Sequence, residues 1–265
     1  VRTQAVTVEV ARLPEKPDLR AAGLRDAILA ELEKAPLSEK VRFDADELHI
    51  VEHQAGTVFT NLEHGYGGAM MRLSNDDFEC TSGFVVRRSS DWLEGVLTAS
   101  HCEGLTQMDE NNTEGGTNLT FSAPWKGEHI GAYGDVEWHS TTHDDFPQFW
   151  ATDYVRHTQR GRVYNFQIGL NDDVCRYGRS TGLDCGVVDN VNVSHTFTWL
   201  GQTVTAQNLA RTANMTSTGG DSGGPYFVGG TAWGIHHGSF PITGSRYFSK
   251  IQNAELAFGV FVQTE

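Results

Sequence analysis

Thr218-Gly219-Gly220-Asp221-Ser222-Gly223-Gly224-Pro225 is the stretch whose reading decides the fold. An ordinary turn needs one or two glycines, whereas here glycines flank a serine on both sides, an acid precedes it and a proline closes the run. That much backbone freedom suits a nucleophile whose neighbouring amide N–H groups must converge on a carbonyl under attack, and Gly220 and Ser222 are placed to supply them. Read alone, the run also fits a glycine-rich hairpin loop. A second stretch, Leu97-Thr98-Ala99-Ser100-His101-Cys102, puts a histidine at the end of an apolar strand, beside a cysteine. A general base needs its ring pinned within hydrogen-bond reach of the serine it activates, and a strand end tied by a disulfide provides that.

The rest of the chain sets the frame. Its 265 residues, 38% hydrophobic, suffice for one large β domain or a core domain with a small appendage. With 29 glycines against 7 prolines, and Val, Thr, Phe and Trp spread along the chain, many short strands joined by turns are expected. A formal charge of -14 argues against nucleic acid as a partner, because an anionic surface repels phosphate. No stretch approaches the roughly 20 apolar residues of a membrane span, so no membrane partner is expected. Four cysteines fall into two pairs close in sequence, each among strand-like residues, which suggests disulfides Cys80–Cys102 and Cys175–Cys185. Such bridges favour an extracellular, secreted setting.

Residues 1–62 read as a small α/β extension. Gln4 to Val10 alternates as a strand, Leu19 to Lys34 carries Leu24, Ile28 and Leu32 at helical spacing, continued by Ala35 just beyond it, and Val41 to Phe43 and Leu48 to Val51 are short strands. After the glycines at Gly65, Gly67 and Gly68 helical periodicity almost vanishes, which puts a mainly β domain over residues 63–265. Glu103 to Phe121 reads as a polar loop.

The histidine motif and the Gly220-Asp221-Ser222-Gly223-Gly224-Pro225 motif, in that order, resemble the chymotrypsin superfamily of serine proteases. Val174-Cys175-Arg176-Tyr177-Gly178-Arg179-Ser180-Thr181-Gly182-Leu183-Asp184-Cys185-Gly186 resembles, more narrowly, the streptogrisin and α-lytic protease group. The resemblance implies a chymotrypsin-like pair of six-stranded β-barrels with an active site in the cleft between them. It also implies a Ser-His-Asp triad hydrolysing peptide bonds, with Ser222 as nucleophile, His101 as base and the N–H groups of Gly220 and Ser222 as the oxyanion hole. Asp153, in Ala151-Thr152-Asp153-Tyr154-Val155, matches the family pattern of an aspartate before an aromatic residue and is the expected triad acid; Asp144 and Asp145 are the alternatives.

The group's internal arginine corresponds to Arg176, expected to pair with Asp221 in support of the oxyanion site. Thr216 stands where members that cleave after Lys or Arg carry an aspartate. His236 and Ser239, in Trp233-Gly234-Ile235-His236-His237-Gly238-Ser239, resemble the pocket of glutamate-specific members, so cleavage after Glu is favoured, with large apolar or aromatic residues as the alternative. Two residues depart from that pattern: Gly219 stands where a glutamate-specific member has a serine, and His237 replaces a serine that in the family usually supports the triad acid. An inactive, protease-like binding protein is the reading from another class. No cofactor and no metal are expected, and the partners are protein or peptide substrates. The extension is expected to pack on, or assist the folding of, its own protease domain.

Overall fold

The computed structural model describes residues 7–11, 49–53, 65–75, 77–109, 120–141, 145–240 and 245–265. The chain divides into a unit of Val1–Thr60 and a unit of Asn61–Glu265. In the smaller one, Thr7–Ala11 and His49–His53 pair as parallel strands, Thr7 opposite His49. The helical run Leu19 to Lys34 and the strand Val41 to Phe43 lie outside the described residues.

The larger unit is mainly β, and its strands group by halves. In the first half, Val260–Val262, Val85–Arg88, Glu94–Thr98, Gly134–Ser140 and Trp125–Gly131 form one sheet in that order. Phe78–Thr81, Met70–Leu73, Leu105–Asp109 and Thr120–Ser122 form a second. Glu94–Thr98 sits between two partners, and Gly95 to Thr98 are all buried, so the segment reads as a continuous small and apolar run rather than an alternating one. The polar loop expected over Glu103 to Phe121 is corrected at its start. Leu105–Asp109 pairs with both Met70–Leu73 and Thr120–Ser122, and buried Leu105 and Met108 anchor it in a core with Met71, Val96 and Phe121. Residues 110–119 lie outside the described residues.

In the second half the pairing runs Thr231–Phe240, Pro225–Val228, Asp173–Gly178, Gly182–Trp199, Gln202–Ala213, Ser245–Lys250, and then returns to Thr231–Phe240. Its long hairpin turns at Leu200 and Gly201, whose φ of 48° and 72° give the mirror-image turn that matches the twist of the flanking strands. Register shifts between Val188 and His195 bend the hairpin. The helix Ile251–Phe258 ends at Gly259, left-handed at φ 65°, whose N–H caps the Glu255 carbonyl. Val260–Val262 then joins the first-half sheet beside Val85–Arg88. A shared core of Phe84, Leu97 and Trp138 with Tyr177, Tyr226, Ile235 and Phe248 fastens the halves together. The expected disulfides are both present, Cys80–Cys102 and Cys175–Cys185.

Candidate active site

Ser222 is held from both halves. The Thr81 N–H donates to the Ser222 carbonyl at 2.8 Å and the Thr81 hydroxyl to the Gly220 carbonyl at 2.6 Å. Gly223 has a φ of 86°, and a Cβ there would lie 2.0 Å from Thr98 Oγ1 and 2.2 Å from the Thr81 carbonyl, so only glycine lets the loop close on the strand beneath it. With their carbonyls engaged, the N–H groups of Gly220 and Ser222 donate to no other group among the described residues.

His101 lies just past the buried strand Glu94–Thr98, after Ala99 and Ser100, and Cys102 is tied to Cys80. His101 Nε2 lies 2.7 Å from Ser222 Oγ and Nδ1 lies 2.5 Å from Asp135 Oδ2. The His101 backbone N–H donates to Asp135 Oδ1 at 3.0 Å. Asp135 is the second residue of the strand Gly134–Ser140 and is completely buried. Ser249 clamps its backbone, its hydroxyl accepting from the Asp135 N–H at 2.9 Å and donating to the Asp135 carbonyl at 3.0 Å. Burial by itself works to raise the Asp135 carboxyl. The His101 charge and the hydrogen bonds from His101 and His237 outweigh it and hold the group well below the ordinary carboxylate range.

The expectation for the acid is therefore corrected from Asp153 to Asp135. Asp153 is nearly half exposed, accepts the Tyr177 hydroxyl at 2.7 Å and lies 3.8 Å from Arg179, in a bend outside the His101 contacts. Asp145 is buried against Thr141 and Glu94, and Asp144 lies outside the described residues. The sequence does carry a signal for Asp135: the glycine turn Gly131-Ala132-Tyr133-Gly134 feeds it into a strand that is buried throughout. Reading for an aspartate followed by an aromatic residue passed over it, because Val136 follows.

Arg176 and Asp221 are paired as expected, 3.4 Å apart with both side chains completely buried. Four shorter bonds satisfy Asp221: the N–H groups of Ser180, Thr181 and Thr218 at 2.9 to 3.0 Å and the Thr181 hydroxyl at 2.7 Å. Arg176 donates to Thr181 Oγ1 at 2.6 Å and to the Thr216 carbonyl, while its buried Nε and Nη1 have no hydrogen-bond partner among the described residues. The acid is thus the better-satisfied member of the pair.

Beside Ser222 opens a cavity of about 530 Å³, its wall including His101, Ser217, Gly219, His236 and Ser239. Thr216 is corrected as a lining residue: its N–H and hydroxyl both bond the Asp184 carboxylate, and Ser217 faces the cavity in its stead. His236 is 1% exposed, stacked on Tyr226, which in turn stacks on Phe248. Burial, reinforced by the Arg176 charge, lowers the His236 imidazole well below the ordinary histidine range, so it is neutral at pH 7. Its Nδ1 is buried and has no hydrogen-bond partner among the described residues.

His237 points the other way, its Nδ1 2.6 Å from Asp135 Oδ2 and its Nε2 2.7 Å from Nδ1 of His195 on the long hairpin. Donor atoms of His101, Asp135 and His237 lie within 4.8 Å of one another, close enough to hold a metal ion, and each is engaged by these hydrogen bonds. Sequence reasoning missed His195. Nothing local marks it, since only the pairing of strands distant in sequence brings it to the site.

Comparison with known proteins agrees with this geometry. The chain is 28% identical over 197 residues to Streptogrisin-C of Streptomyces griseus, covering 72% of this chain and 39% of that protein. It is 29% identical over 201 residues to Serine protease 1 of Streptomyces fradiae, covering 69% and 48%. The chain thus spans less than half the length of these curated relatives. Thermobifida fusca Protease A superposes with a TM-score of 0.59 at 26% identity, over 76% of this chain and 98% of that one.

These similarities support a chymotrypsin-like serine protease of the streptogrisin group. Within that chymotrypsin-like fold, a glutamic acid specific serine protease matches with a TM-score of 0.59 at 23% identity, over 75% of this chain and 100% of that one. No protein-family model matches the chain. The contact between His195 and His237 is one that the sequence motifs did not announce.

Proposed function

We propose that the chain is a serine endopeptidase whose triad is Ser222, His101 and Asp135. The observation that carries this reading is the unbroken line of hydrogen bonds from Ser222 Oγ through both nitrogens of His101 to Asp135, beside an open cavity. His101 takes the Ser222 proton as Oγ attacks the peptide carbonyl, and returns it to the leaving amine. Asp135, kept ionised, fixes the Nδ1–H tautomer of His101 and stabilises the imidazolium. The N–H groups of Gly220 and Ser222, engaged by no other group among the described residues, hold the oxyanion. The Arg176–Asp221 pair supports that loop from below. The reaction itself requires no cofactor.

For the substrate, cleavage after Glu is the favoured reading. The cavity wall offers His236 and the Ser217 and Ser239 hydroxyls, and no acid stands among its lining residues. A glutamate entering there gives the buried His236 ring a counter-charge, so binding takes up a proton. The preference for Glu over Phe then rises as pH falls from 8 towards 6. The glutamic acid specific relative in fold is described as using a histidine triad in substrate binding. Here the ring neighbours of His236 are Tyr226 and, one ring further, Phe248, so the argument rests on His236 and Ser239 themselves. Phe197 and Trp199 also line the cavity and favour the second reading, cleavage after large apolar or aromatic residues.

Matched peptides differing only in Glu, Asp or Phe before the scissile bond separate these readings. A Phe preference that does not change with pH refutes the role given to His236. An inactive binding protein is excluded if Ser222 reacts with an organophosphate and Ser222→Ala does not. Secretion follows in this reading from the two disulfides and from the group's habit, and residues 1–62 assist folding of a domain rich in long-range pairings. If so, residues 63–265 expressed alone refold more slowly than the whole chain.

A further inference from the structure

Asp135 carries more than the triad requires. Its Oδ2 receives two imidazoles, His101 at 2.5 Å and His237 at 2.6 Å, and its Oδ1 receives a backbone N–H. We propose that His237 is a positioning residue for the triad acid, and that His195, at the cavity wall, fixes the tautomer of His237, so that four side chains form one network. This rests on the reading of Asp135 as the acid.

Hydrogen-bond bookkeeping fixes the protons. An ionised carboxylate only accepts, so both rings donate to it through Nδ1. A neutral His237 that donates from Nδ1 has only a lone pair at Nε2, and the group 2.7 Å away, His195 Nδ1, must therefore be the donor. A serine at position 237 would offer one hydroxyl and end the line there. The imidazole instead carries it on to a residue that lines the cavity.

Packing holds the same arrangement. The His237 side chain is 3% exposed, so its bond to Asp135 competes little with water. The His195 ring lies between two others, stacked on Tyr247 at 5.3 Å and 8° and on Phe197 at 5.6 Å and 22°. Titratable groups facing His237 are Asp135, His101 edge-on at 5.8 Å, His195 and Tyr247 at 6.4 Å, with His236 next to it on its own strand. Burial and the neighbouring His237 lower the His195 imidazole below the ordinary histidine range. Two consequences follow. Asp135 cannot rotate without breaking three bonds, and a substrate group that touches His195 acts on the triad acid through two hydrogen bonds.

Proton NMR of the intact chain, with histidine labelled at the ring nitrogens, tests this directly. Two strongly downfield Nδ1–H signals are expected, one from each imidazole on Asp135. His237→Ser removes one signal while keeping a donor. His237→Ala removes that signal and the donor together, leaves the His101 signal, and lowers kcat on the order of 10-fold with little change in KM, the loss expected for one hydrogen bond to a charged group. The serine variant recovers most of that activity. His195→Phe preserves the stacking on Tyr247 and moves the His237 signal without moving that of His101. A single downfield signal in the wild type, a His237 signal indifferent to His195→Phe, or equal impairment of the alanine and serine variants would overturn the proposal. Both signals in a chain that cleaves no peptide would refute the proposed function and leave the network standing.

Discussion

Breaking the Arg176–Asp221 pair from its two sides should give unequal results. In Asp221→Asn the loop loses a carboxylate that accepts three N–H groups and a hydroxyl, and the new amide NH2 then faces two of these donors, the Ser180 and Thr181 N–H groups on one side or the Thr218 N–H and Thr181 hydroxyl on the other. It also strands Arg176, completely buried, with Nε and Nη1 already unpartnered among the described residues. Leaving a buried charge without its counter-charge costs about 3–5 kcal/mol. Arg176→Met leaves Asp221 with all four short bonds and removes an ion pair at 3.4 Å, so its cost is nearer 1–3 kcal/mol, roughly that of lost hydrogen bonds to charged groups.

Denaturant unfolding of both single variants and the double variant measures this. The double variant should be less destabilised than the sum of the two singles, because removing Asp221 no longer strands a cation. Activity should follow the same order, since the Asp221 loop carries Ser222. The reasoning is refuted if Arg176→Met costs as much as Asp221→Asn, or if the two losses simply add.

Three further outcomes can be checked on the same protein. Asp135→Asn should lower kcat on the order of 10⁴-fold with the fold intact, whereas Asp153→Asn, half exposed and remote from His101, should leave kcat/KM within about 2-fold, measured on one peptide substrate. His236→Phe should flatten the pH dependence of stability below about pH 6.5. The folded-state pKa of His236 is depressed, so the unfolded chain binds the extra proton and stability is lost as pH falls through 6.5. Unfolding at several pH values reads this. Replacing Cys80 and Cys102 by serine frees a loop of 22 residues and should cost about 3 kcal/mol, slightly more than opening the 10-residue loop of Cys175 and Cys185.

What was legible in the sequence is what local constraint writes there. Ser222 is betrayed by the glycines its loop cannot do without, and His101 by the buried strand and disulfide that pin it. The Arg176–Asp221 pair is legible because each member sits inside a recognisable motif. Asp135 is harder, since a triad acid needs only to be an aspartate at a buried strand start, and nothing adjacent must be aromatic. Asp153 satisfied the motif and failed the geometry: Tyr177 and Arg179 hold it elsewhere. Thr216 was placed by counting back from Ser222, but Asp184, on another strand, draws it out of the cavity. His195 and His237 are 42 residues apart and meet only through strand pairing, so the network they make with Asp135 exists at no level below the assembled sheet.

The most direct test of the central claim is covalent labelling of the intact chain with a fluorophosphonate, followed by mass spectrometry of the modified peptide. One adduct, on Ser222, should form rapidly in the wild type and in Asp153→Asn, slowly in Asp135→Asn, and not at all in Ser222→Ala. Equal labelling rates in the wild type and Asp135→Asn, or a label on any residue other than Ser222, would contradict the account.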